Sequence, residues 1–359
     1  MNSALKNLIR PHFLEMKGYV SAGMESNKTA QNVFLNANEN PYELPGLEGF
    51  NRYPEPQPAA LLESYAKLYG VRAENIAATR GADEAIVVLT RLFCEPRKDA
   101  MLVCPPTFGM YAVNGTAMPA GVVEVPLIKQ NGTFSLDVDG VIAQLDNVKL
   151  VYLCSPNNPT GNLFPREDLL KICKAAEGKA AVVVDETYIE FTDTPSLTAV
   201  LNDHPNLIIL RTLSKSYALA GMRMGIMICG DAEFIKLARS KAMDAYPLPR
   251  ASVNAALHVM RDDIAALARE NIKKIVTERK RVADALKATF HVKHVYPADA
   301  NFLLVEMDNA KGFCDFAKTK GVIIRDFSDK KGTENCIRLS IGLPEENDKV
   351  LGLLNNFIK

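Results

Sequence analysis

Between residues 75 and 245 the chain alternates short, near-continuously apolar runs with stretches of helical spacing. NIAATRGADEAIVVLTRLF opens a helix, and AMLVCPP, VKLVYLCSP, AAVVVDE, NLIILRTLS and RMGIMICG read as strands. Runs this apolar and this rich in β-branched residues suit strands covered on both faces, as in a mostly parallel sheet flanked by helices. The order predicts an α/β, doubly wound domain. Beyond YPLPR, where Pro247 and Pro249 turn the chain, one charge-rich helical stretch is predicted from Ser252 to Thr289. NFLLVEM, GVIIRDF and CIRLSIG then read as strands of a smaller α+β domain. The first residues carry little core signal and read as an arm packing on that smaller domain. The predicted division is an arm over 1–35, a large domain over 36–246 and a small C-terminal domain over 247–359. No internal repeat or low-complexity tract interrupts it.

A chain of 359 residues is too long for one small core, which agrees with two domains. Lys plus Arg (42) balance Asp plus Glu (42), so nothing in the net charge points to nucleic acid or an anionic membrane surface. The 7 cysteines are scattered without a C-x-x-C pair. They read as reduced, buried hydrophobes rather than disulfides or a metal site, and no metal is expected. The N-terminus, MNSALKNLIRPHFLEMKG, has charges every few residues and no apolar core of a secretory signal. The longest apolar runs stop well short of the roughly 20 residues that span a bilayer. A soluble, cytoplasmic protein is expected.

Three segments follow predicted strands: LCSPNNPTGN with Asn158, VVVDETYIEF with Asp185 and Tyr188, and LRTLSKSYALAGMRMG with Ser214, Lys215 and Arg223. Open α/β sheets bind ligands at the carboxyl ends of their strands. Singly, these segments read as a turn, a helix cap and a solvated lysine. Together they match what pyridoxal phosphate requires of a protein. Lys215 could hold it as a Schiff base if its pKa is lowered. Asp185 could keep the ring nitrogen protonated, while Asn158 and Tyr188 could donate to the phenolic oxygen. In TRGADEAIVVL, Gly81 permits close approach, and Ala82 and Asp83 open a helix whose N–H groups suit a phosphate. Ser214 and Arg223 would add a hydroxyl and a guanidinium. In PPTFGMY, Phe108 is the favoured ring stacker and Tyr111 the other choice.

With these motifs the chain resembles the fold-type I aminotransferases. More closely it resembles the histidinol-phosphate aminotransferase family, from LNANENPY (Leu35 to Tyr42) through NRYPEPQP and RGADEAI to IIRDF and CIRLSIG. The resemblance covers essentially the whole chain. It implies a fold-type I pyridoxal-phosphate-dependent transferase converting L-histidinol phosphate and 2-oxoglutarate to imidazole acetol phosphate and L-glutamate. It implies that Lys215 also moves the proton of the 1,3-shift, with Asp185 and Tyr188 completing the catalytic set. Tyr53 would reach across a homodimer interface to the partner's phosphate site. Arg338 would grip the substrate carboxylate or phosphate, Arg325 would be a second phosphate anchor, and Tyr19 would close over the imidazole. The family often has tyrosine where this chain has Phe108. The alternatives are an aromatic amino acid aminotransferase, a threonine-phosphate decarboxylase and a non-catalytic ligand-binding domain of a regulator. The last would need a basic DNA-binding segment, which this chain lacks.

Overall fold

The computed structural model describes residues 1–19 and 33–357. Two short helices, α1 (Ser3–Lys6) and α2 (Pro11–Glu15), begin the chain. The large domain follows with α3 (Ala59–Tyr69), β1 (Ile76–Thr79), α4 (Gly81–Phe93), β2 (Ala100–Val103), α5 (Met110–Ala117) and β3 (Gly121–Glu124). A hairpin, β4 (Ile128–Gln130) and β5 (Thr133–Ser135), precedes α6 (Val138–Ala143), β6 (Leu150–Cys154), α7 (Arg166–Ala175) and β7 (Ala181–Asp185). Then come β8 (Leu207–Thr212), β9 (Gly225–Cys229), α8 (Ala232–Leu237) and α9 (Arg250–Val259). The remaining elements are α10 (Asp262–Lys287), β10 (Val292–Val295), β11 (Phe302–Met307), α11 (Ala310–Thr319), β12 (Arg325–Asp326), β13 (Cys336–Ser340) and α12 (Pro344–Asn355).

The central 7-stranded sheet has the order β1-β9-β8-β7-β6-β2-β3. It is parallel from β8 to β3, and β9 runs antiparallel to both of its neighbours. Alternation along a buried strand explains its two apolar faces. In β8, Leu207 and Ile209 enter one core cluster, and Ile208 and Leu210 enter the other. The small domain carries a 4-stranded sheet, β10-β11-β13-β12, whose pairs are all antiparallel. Its own core joins Val305, Phe313, Ile337 and Leu354 to Val282 and Leu286 of α10.

The N-terminal arm differs from the sequence expectation. Leu5, Leu8, Ile9 and Phe13 are buried with Leu89, Leu92, Phe93 and Phe234, on the large domain and not the small one. Arg10 fixes the contact: its backbone N–H donates to Leu92 O (2.9 Å), and its guanidinium donates to Glu95 (2.7 Å). Leu5, Leu8 and Ile9 have the i, i+3, i+4 spacing of a helical face, but Leu8 and Ile9 lie in the turn between α1 and α2, so the pattern is too short to read from sequence. Residues 20–32 of the expected arm, and the last two residues of the expected small domain, lie outside the described residues.

The single helical stretch expected over 252–289 is two helices, broken at Met260 and Arg261. Neither glycine nor proline marks the break; Asp262 and Asp263 restart the helix, acidic side chains suiting its positive end. The break lets α9 bury Val253, Ala256 and Val259 in the large-domain core, so that core extends past residue 247. GVIIRDF yields only Arg325 and Asp326 as strand, because only those two pair with β13. All 7 cysteines are free and buried. Among the described residues no helix is long and apolar enough to cross a membrane.

Candidate active site

Two antiparallel pairings in succession make β1 run in the same direction as β8. The carboxyl ends of β1, β2, β6, β7 and β8 therefore meet along one sheet edge. A cavity of about 200 Å³ opens there. Ala82, Asp83, Phe108, Asn158, Asp185, Tyr188, Ser214, Lys215, Arg223 and Arg338 all line it.

Asp185 ends β7 and is 3% exposed. Its Oδ2 accepts the Tyr111 hydroxyl (2.7 Å), and its Oδ1 accepts the Thr187 N–H (3.0 Å) and hydroxyl (2.5 Å). Burial raises its pKa, and these neutral donors only partly oppose the rise. Tyr111, weighed in the sequence as a ring stacker, instead stacks on Tyr152 (4.7 Å) and meets the Phe108 ring edge-on (5.5 Å). Of Phe108 and Tyr111, only Phe108 lines the cavity.

Lys215 follows β8, with its amine 5.9 Å from the centroid of Tyr188. Burial first, then the Arg338 and Arg223 guanidinium groups, lower its pKa. Asn158 donates from Nδ2 to the Tyr188 hydroxyl (3.4 Å) and accepts from Arg338 Nη1 (2.5 Å). Burial also raises the Tyr188 pKa, which keeps the phenol protonated and able to donate. The Arg338 guanidinium lies close to two phenyl rings, 5.3 Å from the centroid of Phe302 and 5.5 Å from that of Phe327. Phe302 also meets Tyr188 edge-on at 5.2 Å.

At the other end of the cavity α4 begins at Gly81, whose φ of +74° is one that glycine adopts without strain. Arg223, itself left-handed at φ +55°, reaches over this turn and donates to Asp83 Oδ2 (2.8 Å). A Cβ on Gly225 would lie 2.5 Å from the Gly81 carbonyl carbon, so β9 packs here only with a glycine. The Ser214 N–H donates to the Thr212 hydroxyl (3.1 Å), which orders the turn before Lys215. Free helix N–H groups, a hydroxyl and a guanidinium at one end suit a phosphate. With an amine of lowered pKa and a buried carboxylate at the other end, the donor set fits pyridoxal phosphate.

Three expected residues stand outside this cavity. Tyr53 is exposed and stacks on Tyr246 at 4.3 Å. Tyr19 is 67% exposed. Arg325 faces Arg338 across the β12–β13 pair and lines a second cavity of about 730 Å³, which Arg338 also borders. Thr187, Thr212, Cys154 and Ala220 line the first cavity without having been expected. Only Thr187 carried a sequence signal, as a hydroxyl two residues after Asp185, where Asx-type turns place donors.

The model of the class I and II aminotransferase family matches residues 21–352. Histidinol-phosphate aminotransferase of Serratia proteamaculans is 39% identical over 356 residues, covering 98% of this chain and 96% of that one. The protein of the same name from Buchnera aphidicola subsp. Schizaphis graminum is 38% identical, with 100% of each chain covered. The crystal structure of histidinol-phosphate aminotransferase from Sinorhizobium meliloti in complex with pyridoxal-5'-phosphate is similar at a TM-score of 0.76 and 25% identity. That match covers 86% of this chain and 83% of that one.

Proposed function

The chain belongs to the class I and II aminotransferases, within the histidinol-phosphate aminotransferase family, and from that premise we propose the reaction it catalyses. It transfers the amino group of L-histidinol phosphate to 2-oxoglutarate, giving imidazole acetol phosphate and L-glutamate, a step of histidine biosynthesis in the cytoplasm. Pyridoxal 5'-phosphate is the cofactor, and when bound it supplies the electron sink for bond breaking at the amino-bearing carbon. The observation that carries the reading is a single cavity joining the Lys215 amine of lowered pKa, the buried Asp185 carboxylate and the Arg338 guanidinium.

Lys215 would hold the cofactor through Nζ in the resting enzyme. Freed by the substrate's amine, the same Nζ would move the proton between the two carbons flanking the transferred nitrogen. Its lowered pKa serves both tasks, since each needs a neutral amine at ordinary pH. Asp185 would keep the ring nitrogen protonated, and that positive charge would in turn offset the burial that raises the carboxylate's own pKa. Asn158 and Tyr188 would donate to the ring oxygen, and Phe108 would cover a ring face. The N–H groups of Ala82 and Asp83, with Ser214 and Arg223, would hold the phosphate; Arg223 would exchange its bond to Asp83 for one to the phosphate.

Arg338, steadied by Phe302, Phe327 and Asn158, would bind the carboxylate of glutamate in one half-reaction and the phosphate of histidinol phosphate in the other. Arg325 would add a second phosphate contact, and Tyr19 would close over the imidazole. The catalytic unit would be a homodimer with Tyr53 completing the partner's phosphate site. Val33, Leu35, Tyr42, Leu44, Leu47 and Phe50 are all exposed in the segment leading to Tyr53, and a second copy would cover such a row. Sedimentation at micromolar concentration should give a dimer; a monomer with full activity would refute that part.

The substrate is tested by mixing holoenzyme with L-histidinol phosphate, and separately with L-phenylalanine, each without a keto acid. Loss of the cofactor's yellow absorption with histidinol phosphate alone is expected. A stronger loss with phenylalanine would overturn the assignment.

A further inference from the structure

The face of β8 that carries Leu207 and Ile209, continued by Leu213, is apolar core except at Arg211. Arg211 falls between them on that face and is 5% exposed. Its guanidinium lies 4.4 Å from the centroid of Tyr69, 3.2 Å from Glu186 Oε2 and 2.7 Å from Glu190 Oε1. Glu186 is as deeply buried and accepts from the Leu197 N–H (2.8 Å) and the Ser196 hydroxyl (2.5 Å). Arg211 Nε, the second oxygen of Glu190 and the hydroxyls of Tyr65 and Tyr69 are buried without a hydrogen-bond partner. One cation against two carboxylates with polar atoms unmatched is a poor way to stabilise a core, because desolvation offsets the attraction. Apart from the contact with the Tyr69 ring, packing gives no reason for an arginine here.

Its placement in the chain does. Glu186 directly follows Asp185, Glu190 lies two residues after Tyr188, and Arg211 precedes Lys215 by four. The three side chains join the segment carrying Asp185 and Tyr188 to the strand leading to Lys215. A backbone bond from Glu186 N–H to Leu210 O (3.0 Å) ties the near end of that segment, but at the far end Glu190 is held to β8 by its bond to Arg211. We propose that Arg211 is a positioning residue: by gripping Glu186 and Glu190 together it fixes the turn between them, and with it the Tyr188 phenol relative to Lys215. The proposal rests on the reading of this cavity as the cofactor site. It assigns no contact with substrate or cofactor to Arg211 itself.

Two holoenzyme variants test it. Glu190→Gln leaves a one-to-one pair of Arg211 and Glu186, which is better balanced inside a core, while weakening the far half of the grip. Arg211→Lys keeps the charge but cannot reach both carboxylates with a planar fork. In each, cofactor should still bind at one per chain. The pH midpoint of the bound cofactor's visible absorption should move upward by at least about half a unit, because a displaced phenol no longer stabilises the ring oxygen's anion. Turnover should fall on the order of tenfold, with KM for either substrate within about twofold. Should Glu190→Gln fail to fold, Arg211→Lys carries the same readouts. Variants that change only in melting temperature, with midpoint and turnover as in the parent, would overturn the proposal. A parent protein that never develops the yellow band with pyridoxal phosphate would overturn the cofactor reading and this proposal with it.

Discussion

Replacing Gly81 by alanine probes the phosphate end of the site with a single methyl group. At φ +74° a Cβ costs about 1–2 kcal/mol of backbone strain. The three atoms nearest to an ideal Cβ all belong to the Arg223 guanidinium, the closest at 2.7 Å. The methyl therefore displaces the end of a flexible side chain and leaves the backbone in place. If Arg223 holds the cofactor phosphate, it loses a charged hydrogen bond worth about 1.5–3 kcal/mol. The dissociation constant for pyridoxal phosphate should then rise on the order of 10- to 150-fold. The cofactor-free protein should lose only the strain energy, a few degrees of melting temperature. Gly225→Ala is the contrast: its Cβ would lie 2.5 Å from the Gly81 carbonyl carbon and 2.6 Å from the Ala82 nitrogen, backbone atoms that cannot swing aside. That variant should lose stability with or without cofactor. Spectroscopic titration of cofactor-free protein, with melting curves beside it, separates the two. A Gly81→Ala protein that binds cofactor within about twofold of the parent would remove Arg223 from the phosphate site.

Lys215→Met should abolish transamination yet stabilise the cofactor-free protein. The folded-state pKa of Lys215 lies below its ordinary 10.5, so the penalty is full below the folded value and gone above 10.5. The variant should accordingly melt higher than the parent at pH 7, with the gap closing as pH rises; no gap at pH 7 would refute the burial argument. Asp185→Asn has the opposite pH course, because its pKa is raised: the penalty is absent below the ordinary 3.8 and appears as pH rises. The cofactor-free variant should melt higher at neutral pH and match the parent near pH 4, while turnover falls by about 100-fold or more; near-normal turnover would refute its place at the ring nitrogen. Arg325→Ala should raise KM for histidinol phosphate on the order of tenfold and leave that for glutamate unchanged, which steady-state kinetics in both directions would read; equal effects on both would refute a phosphate-specific role.

Five of the 7 strands of the large sheet were legible because strands buried on both faces cannot be polar, and AMLVCPP, VKLVYLCSP, AAVVVDE, NLIILRTLS and RMGIMICG have few alternatives. Strand β1, the short IAAT run before α4, was read as part of the helix opening. The sequence showed less where burial is one-sided or local. At β3 every residue of GVVE is at least partly exposed, which removes the apolar run that marked its neighbours. The break between α9 and α10 has no glycine or proline, and only the partner surfaces decide it. Helix α10 buries Ala265, Ile272, Arg279 and Leu286 at intervals of seven, so its inner face is regular; α9 has to turn away to reach the large-domain core. Leu5, Leu8 and Ile9 span too few turns for a periodic signal, although their burial is nearly complete.

The site divides in the same way. Lys215, Asp185, Asn158 and Tyr188 stand at or just beyond strand ends, where the chain leaves the sheet and side chains line the cavity, so residue type and position together announce them. Tyr111 and Thr187 donate to Asp185, and Thr187 also borders the cavity. What places the Tyr111 hydroxyl on Asp185 is the start of α5 and the β6–β7 register that sets Cys154 opposite Asp185, a pairing between distant segments. Arg211 is hidden more deeply. In NLIILRTLS it reads as the polar end of a strand, and the alternation that turns it inward becomes visible only once both faces of the sheet are covered. A strand end thus carries two kinds of polar residue, one facing the cavity and one turned back into the core. The sequence marks both as polar, and only the pleat of the folded sheet tells which of them meets the ligand.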